Sequence, residues 1–286
     1  MVIPRSPSKT AVRSAAARAL HREEPPPWVL DDHLALGLAG DEGVSITRSM
    51  RDELSAENLH TFSRWTCVRA RLAEDVVERA VAAGIRQYAI LGAGLDSFAY
   101  RRSDLLGRLR VFEVDHPASQ AWKRERLAEL GVSLPANLRF TPVDFETQTL
   151  RDGLLAAGFD FTAGAVFSWI GVTMYLTLAA IETTLETVAA CPPDSRIVLT
   201  YNLPLSALEG QGRAIGSRMS RSAGEVGEPW LSFFTPAEAE ALLRRYGYGE
   251  VSHFGPAEAI RTYFADRPDV HLGMPQRLLV ATVGTR

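Results

Sequence analysis

The segment Gln87-Tyr88-Ala89-Ile90-Leu91-Gly92-Ala93-Gly94 decides the fold of this chain. A short apolar run with no helical periodicity leads directly into a Gly-Ala-Gly turn, which is typical of a buried strand that ends at a ligand. Open α/β sheets bind their ligands beyond the carboxyl ends of such strands. The segment therefore predicts the first strand of a parallel sheet and a binding loop after it.

Short apolar strands continue outward from this segment and alternate with helices. Further strands are predicted at residues 110–115, 138–144, 164–169, 196–201, 249–254 and 277–283, with helices at 8–22, 61–83, 117–130, 147–157, 177–190 and 235–246. Alternation of this kind predicts a doubly wound sheet with helices on both faces. We expect a Rossmann-like α/β fold with seven mostly parallel strands.

The two ends of the pattern are less regular and suggest a cover over the sheet. Residues 1–60 combine one amphipathic helix with weak helical segments, and residues 206–230 form a Gly-rich stretch after the fifth strand. We expect an N-terminal helical lid at 1–60 and a core at 61–286. The core would carry a flap inserted at 206–230.

Composition limits the classes of function. The chain has 286 residues and a formal net charge of -3, and it contains no concentrated basic face of the kind that nucleic acid requires. No apolar run approaches the roughly 20 residues that cross a bilayer, so no membrane partner is expected. Its two cysteines, Cys67 and Cys191, form no metal-ligand spacing with the histidines, so no metal is expected.

These features favour a cytoplasmic protein that is a monomer or a homodimer. Residues 1–22 contain five basic residues and no acid, which leaves a transit peptide as an alternative to an amphipathic surface helix.

The loop after the first strand favours one kind of nucleotide. Asp115 follows Gly94 by 21 residues and ends the second strand, where a carboxylate can accept both ribose hydroxyls. Position 97 is Ser instead of the third glycine of a dinucleotide fingerprint, and the acid Asp96 would oppose a diphosphate. Asp96 suits a cofactor that has an ammonium group and no phosphate. S-adenosylmethionine is such a cofactor, and NAD is the alternative.

The end of the third strand offers another contact. Asp144 could hydrogen-bond an adenine amino group while Phe145 packs on the ring. Alternatively, Asp144 is the N-cap of the following helix.

Three strings together resemble one known family. Leu91-Gly92-Ala93-Gly94-Leu95-Asp96, Phe112-Glu113-Val114-Asp115-His116-Pro117 and Val172-Thr173-Met174-Tyr175-Leu176-Thr177 are similar to those of the leucine carboxyl methyltransferases, especially their bacterial small-molecule O-methyltransferase branch. The resemblance runs from about residue 10 to the end. It implies a class I methyltransferase core with an N-terminal lid, a flap after strand five and S-adenosylmethionine as cofactor.

The resemblance also assigns residues to the cofactor. It implies that Gly92 contacts the methionine part, that Asp115 holds the ribose, and that Asp144 and Phe145 hold adenine. A lid-helix arginine, Arg69 or alternatively Arg71, would pair with the cofactor carboxylate. The remaining expected cofactor contacts are Ala93, Gly94, Asp96, His116, Ser168 and Trp169.

One position departs from the family pattern. Where protein-methylating members carry a glutamate after strand four, this chain has Ile170. That departure weighs against methylation of a phosphatase C-terminus.

The expected function is O-methylation of a small molecule of polyketide or other secondary-metabolite type. The most favoured acceptor is a carboxylate, with a hydroxyl as the alternative; an NAD-dependent oxidoreductase and a non-catalytic binding protein are the competing hypotheses. Candidate catalytic side chains are Tyr175 and Tyr201 near strand ends, and His33 and His60 as potential bases in the lid. For each histidine the sequence favours a surface or structural residue over a base.

Overall fold

A computed structural model describes residues 8–144 and 148–285, apart from the side chains of Leu106 and Gln211. The prediction for Phe145 therefore falls outside the described residues. None of the described helices is long and apolar enough to cross a membrane.

Seven strands form one sheet in the order β3-β2-β1-β4-β5-β7-β6. The strands are β1 (Gln87–Leu91), β2 (Arg110–Asp115), β3 (Leu138–Pro142), β4 (Val166–Trp169), β5 (Arg196–Asn202), β6 (Tyr248–Phe254) and β7 (Gln276–Val283). The first five are parallel, and β7 runs antiparallel between β5 and β6. All residues of β1 and β4 are buried, as a strand covered on both faces requires. The predicted seven-stranded, mostly parallel sheet is confirmed.

Helices cover both faces of the sheet, as predicted. They are α1 (Lys9–His21), α2 (Ala35–Glu53), α3 (Ala56–Ala82), α4 (Phe98–Arg101), α5 (Ser103–Leu106), α6 (Pro117–Glu129), α7 (Leu150–Ala156), α8 (Leu178–Ala189), α9 (Gly210–Glu225), α10 (Pro236–Arg245) and α11 (Pro256–Tyr263). One apolar core joins α3 and α11 to the sheet, and the other joins α7, α8 and α10 to it.

Helix ends follow their capping residues. The Thr177 side chain caps α8, and Thr235 with Glu238 forms the capping box of α10, both at the predicted positions. By contrast, α3 begins at Ala56, five residues before the predicted start, because Ser55 caps it. The polar residues Glu57 and Asn58 interrupt the apolar periodicity in its first turn, so the pattern did not reveal this start. Residues 28–60 were predicted to hold weak, Gly-interrupted helical segments; the structure places the long helix α2 and the first turn of α3 within that range.

The N-terminal helices lie over the carboxyl end of the sheet. Val12 and Ala15 of α1 pack against Leu38 of α2 and against Leu95 of the loop after β1. This apolar contact holds α1 directly above the loop that the sequence singles out. The expected boundary at residue 60 falls inside α3, so the lid would continue into the core through one helix. We propose that α1 and α2 act as the lid and α9 as the flap.

Candidate active site

A cavity of about 710 Å³ lies at the carboxyl ends of β1, β2 and β4, beneath α1 and α9. Its volume is in the range of small-molecule sites, which is roughly 300–1,000 Å³. The parallel register places Leu91 of β1 beside Val114 of β2, so the two loops that follow these strands meet at one edge. The cavity therefore occupies the position where open α/β sheets bind ligands.

The two loop glycines are needed for different contacts. Gly92 has a φ of +70°, and a Cβ atom there would lie 2.5 Å from Val172 Cγ2. Gly94 has a φ of +46°, and its Cβ would lie 3.1 Å from the Cβ of Ala11 in α1. A side chain at Gly92 would clash with Val172, whereas one at Gly94 would crowd Ala11 and the approach of α1 to the loop; both would strain the backbone.

Asp115 stands at the end of β2 and supports this loop. Its Oδ2 accepts the Gly94 N–H at 2.5 Å, and its Oδ1 accepts the His116 N–H at 2.7 Å. The carboxylate also lines the cavity. Each oxygen retains a second lone pair, so Asp115 can still accept two ribose hydroxyls.

Arg69 places a buried positive charge in the same cavity. Its Nη1 donates to Gln276 Oε1 at 2.8 Å, while its Nε is buried without a hydrogen-bond partner. No carboxylate of the described residues pairs with it, and burial lowers the pKa of Arg69 to about 10. A guanidinium in this state fits the carboxylate of a bound ligand, which would supply the missing acceptor. Arg71, the alternative, instead pairs with Asp75 at 2.7 Å outside the cavity.

Three further predicted cofactor residues line the cavity. Asp96 uses Oδ1 to accept the Phe98 N–H at 2.7 Å, and Ser168 Oγ accepts the Tyr88 hydroxyl at 2.8 Å. Ala93 lies between the two glycines. Taken with Arg69 and Asp115, these groups offer a cation for a carboxylate, an acid for an ammonium group and an acid for a ribose. They fit S-adenosylmethionine chemically, and we propose these contacts.

Other predicted residues lie outside the cavity. Trp169 packs in the core, and the Tyr201 hydroxyl bonds His253 Nδ1 at 3.1 Å. His33 is exposed, and His60 borders a separate cleft with Arg64. Thus neither histidine adjoins the region where an acceptor would lie.

Two remaining predictions concern residues near the cofactor loops. Exposed His116 is the N-cap of α6, with its Nδ1 accepting the Ala118 N–H at 3.2 Å. Asp144 is half-buried, and its own N–H donates to Gln148 Oε1 at 3.1 Å. Neither lines the cavity, so their cofactor contacts remain predictions. Tyr175, in contrast, does line it.

Sequence reasoning missed the residues that close the cavity from above. Thr10 of α1 donates to Glu228 Oε2 at 2.5 Å, and Arg13 Nη1 donates to Ser222 Oγ of α9 at 3.0 Å. Trp230 lies two residues after Glu228 in the chain and also lines the cavity. These pairs are more than 200 residues apart in the chain, so no local pattern could reveal them. The polar face of α1 was the only available signal.

Buried charges hold α1 and the cofactor loop together. Arg18 donates from Nε to Asp32 Oδ2 and from Nη2 to Leu95 O, both at 2.7 Å. Asp32 is 1% exposed and also lies 3.5 Å from Arg101 Nε. Asp32 is therefore the carboxylate partner of Arg18 and an additional one for Arg101, which also pairs with Glu74.

Asp32→Asn is expected to lower the free energy of unfolding by about 3 kcal/mol, because removing one partner strands buried charge. Asp31→Asn is the matched control: Asp31 is exposed, so its change should stay within about 0.5 kcal/mol. Urea unfolding at pH 7 measures both values. Equal losses in the two variants would contradict the structural role of the buried network.

Comparisons with known proteins agree with this geometry. The model of the leucine carboxyl methyltransferase family matches residues 11–189. YktD of Bacillus subtilis (strain 168), a proposed S-adenosyl-L-methionine-dependent methyltransferase, is 34% identical over 92% of this chain and 93% of its own. A similarly described protein of Mycolicibacterium smegmatis is 34% identical over 97% of this chain and 94% of its own.

Solved structures share the fold. A proposed methyltransferase from Thermobifida fusca covers 100% of both chains with a TM-score of 0.60 and 17% identity. A DUF574 family protein from Streptomyces avermitilis covers 94% of this chain and 96% of its own, with a TM-score of 0.55 and 18% identity.

The sheet order, the loop after β1 and the relatives define a class I methyltransferase that uses S-adenosylmethionine. The chain belongs to the leucine carboxyl methyltransferase family. The cofactor is therefore S-adenosylmethionine and not NAD, which was the alternative.

Proposed function

We propose that the chain transfers a methyl group to an oxygen of a small molecule, with a carboxylate as acceptor and a methyl ester as product. The observation that carries this proposal is Arg13. Its guanidinium lies 5.5 Å from the Phe62 ring centre in the cavity wall, and it has no carboxylate within ion-pair distance among the described residues. Burial lowers the pKa of Arg13, so an incoming anion would restore the stability of its charged form.

The rest of the cavity supports an acceptor that needs no base. Among the described lining residues there is no histidine. Burial raises the pKa of Tyr175, so its phenol stays protonated at neutral pH. A carboxylic acid has a reference pKa of about 4 and is already ionised there. It can attack without losing a proton, unlike an alcohol or phenol.

The reaction then depends mainly on alignment. S-adenosylmethionine supplies a methyl group on a sulfonium; the new C–O bond forms as the C–S bond breaks, which leaves S-adenosylhomocysteine and the ester. Arg13 would orient the acceptor carboxylate, while Arg69 and Asp115 fix the donor. Hydrogen bonds from α1 to Ser222 and Glu228 hold the cover over the cavity in place, which would help to exclude water around the bound acceptor. Alignment of this kind can contribute roughly 7–11 kcal/mol.

The product should be an ester that mild alkali hydrolyses to release methanol. Turnover should change little between about pH 6 and 8, because a carboxylate stays ionised over that range. His33→Ala and His60→Ala should each cost less than the roughly 100-fold expected on loss of a general base. Methanol release and rates of S-adenosylhomocysteine formation measure these outcomes.

A hydroxyl acceptor is the second candidate, and Glu228 favours it. Its carboxylate is half-buried in the cavity beside Thr10 and could accept a proton. This alternative predicts an alkali-stable methyl ether and a loss of at least about 100-fold in turnover for Glu228→Gln, with cofactor affinity retained. Either result would displace the carboxylate proposal.

Setting and assembly complete the proposal. We propose a cytoplasmic enzyme of secondary metabolism that acts as a monomer or homodimer. Buried, unpaired Cys67 and Cys191 support a reducing compartment.

A further inference from the structure

Building on the proposed function, we propose that the acceptor is a free amphipathic acid with one negative charge and no phosphate group. Arg13 would bind the carboxylate, an apolar wall would bind the body, and an acidic rim would repel phosphorylated or carrier-bound acids.

Part of the cavity wall is apolar and could bind the body of an acceptor. Side chains from α2, α3, α9 and the segment after α9 form it: Ile46, Met50, Phe62, Met219, Val226 and Trp230. Two of them are methionines, whose flexible thioethers adapt to ligands of different shape. A wall of this composition binds a hydrocarbon or aromatic body and offers few groups to a sugar or a polyacid.

Two hydrogen-bond donors lie at one end of this wall. Trp230 Nε1 is buried, makes no well-formed hydrogen bond among the described residues and lies beside the Tyr175 phenol, so an acceptor atom of a ligand could bind it. Arg13 is the second donor. The Thr10–Glu228 hydrogen bond joins the chain three residues before Arg13 to the chain two residues before Trp230. This bond brings the two segments together, and both side chains line the cavity, so one carboxylate could contact both donors.

The rim carries the opposite charge. Glu42, Glu53, Glu225 and Glu228 line the cavity, against Lys9 and Arg13. Glu42, Glu53 and Glu225 are exposed, so an acceptor passes them on entry. A phosphate monoester carries about -1.5 to -2 charges at pH 7 and would be repelled more strongly than a carboxylate. Salt should weaken this discrimination because rim charges are screened.

The test compares two probes that share one body. Isothermal titration of the protein saturated with S-adenosylhomocysteine would use 4-phenylbutyrate and 4-phenylbutyl phosphate. We expect 4-phenylbutyrate to bind at least about ten-fold more tightly, with a smaller ratio at high salt. Arg13→Gln should weaken the binding of 4-phenylbutyrate by about ten-fold or more, because a charged hydrogen bond to the carboxylate is lost. Arg48→Gln, an exposed change on α2 outside the cavity, is the matched control.

A second variant tests the rim. The double variant Glu42→Gln, Glu225→Gln removes two rim carboxylates. It should reduce the difference in affinity between 4-phenylbutyrate and 4-phenylbutyl phosphate. Equal or tighter binding of the phosphate by the wild-type protein would overturn the proposal, as would acid binding that does not depend on Arg13. Failure of 4-phenylbutyrate, phenylacetate and octanoate to bind would also overturn it. Acid binding that depends on Arg13 but yields no ester with S-adenosylmethionine would uphold the subsite and contradict the proposed function.

Discussion

Arg69→Ala is expected to raise the dissociation constant of S-adenosylhomocysteine by about 30-fold or more. Removing one partner of a buried, hydrogen-bonded charge pair costs about 2–5 kcal/mol, and each 1.4 kcal/mol is about ten-fold in affinity. The fold should survive, because Trp65 Nε1 still donates to Gln276 Oε1 at 3.3 Å. Titration calorimetry measures the affinity, and thermal unfolding of the ligand-free protein checks the fold.

Two variants sharpen this prediction. Arg69→Lys should recover only part of the affinity, because lysine lacks the planar fork that binds a carboxylate through two hydrogen bonds. Arg71→Ala is the matched control, since Arg71 is paired with Asp75 and lies outside the cavity. Loss of affinity in Arg71→Ala together with unchanged affinity in Arg69→Ala would reverse the assignment.

Asp115→Ala should weaken the binding of S-adenosylhomocysteine by about 10- to 100-fold. This loss of affinity corresponds to about 1.5–3 kcal/mol for charged hydrogen bonds to ribose. The loss has a second source, because the carboxylate also holds the N–H groups of Gly94 and His116. Most of the rise in melting temperature produced by S-adenosylhomocysteine should disappear.

Asp104→Ala is the matched control, because it removes an exposed carboxylate of α5. S-adenosylhomocysteine should raise the melting temperature of this variant as much as it raises that of the wild-type protein. An unchanged rise in Asp115→Ala would exclude a ribose contact at this position.

Much of the fold could be predicted because it is encoded locally. The central strands β1 and β4 are short buried runs, and the caps Thr177 and Thr235 mark helix starts within one turn. Prediction of helix bounds was least accurate where the apolar periodicity of a helix is interrupted. The start of α3 carries a polar first turn, and α2 contains a kink at Gly40 that interrupts its periodicity.

The candidate site divides in the same way. Gly92, Gly94 and Asp115 lie at strand ends, and their spacing places them together once the sheet is assumed. Arg69 required the family resemblance, because its place on the apolar face of α3 indicates that it is buried but not what it binds. Arg13, Ser222, Glu228 and Trp230 meet only through the packing of α1 on α9. Conversely, Trp169 and Tyr201 lie within the last two residues of β4 and β5 but are buried in packed surroundings.

The central claim is that the loop Leu91–Asp96 binds S-adenosylmethionine, and one comparison tests it most directly. The wild-type protein should be titrated with S-adenosylhomocysteine and, separately, with NAD, while heat and melting temperature are recorded. We expect saturable binding of S-adenosylhomocysteine to a single site per chain with a raised melting temperature, and neither effect with NAD. Stabilisation by NAD without any response to S-adenosylhomocysteine would contradict it.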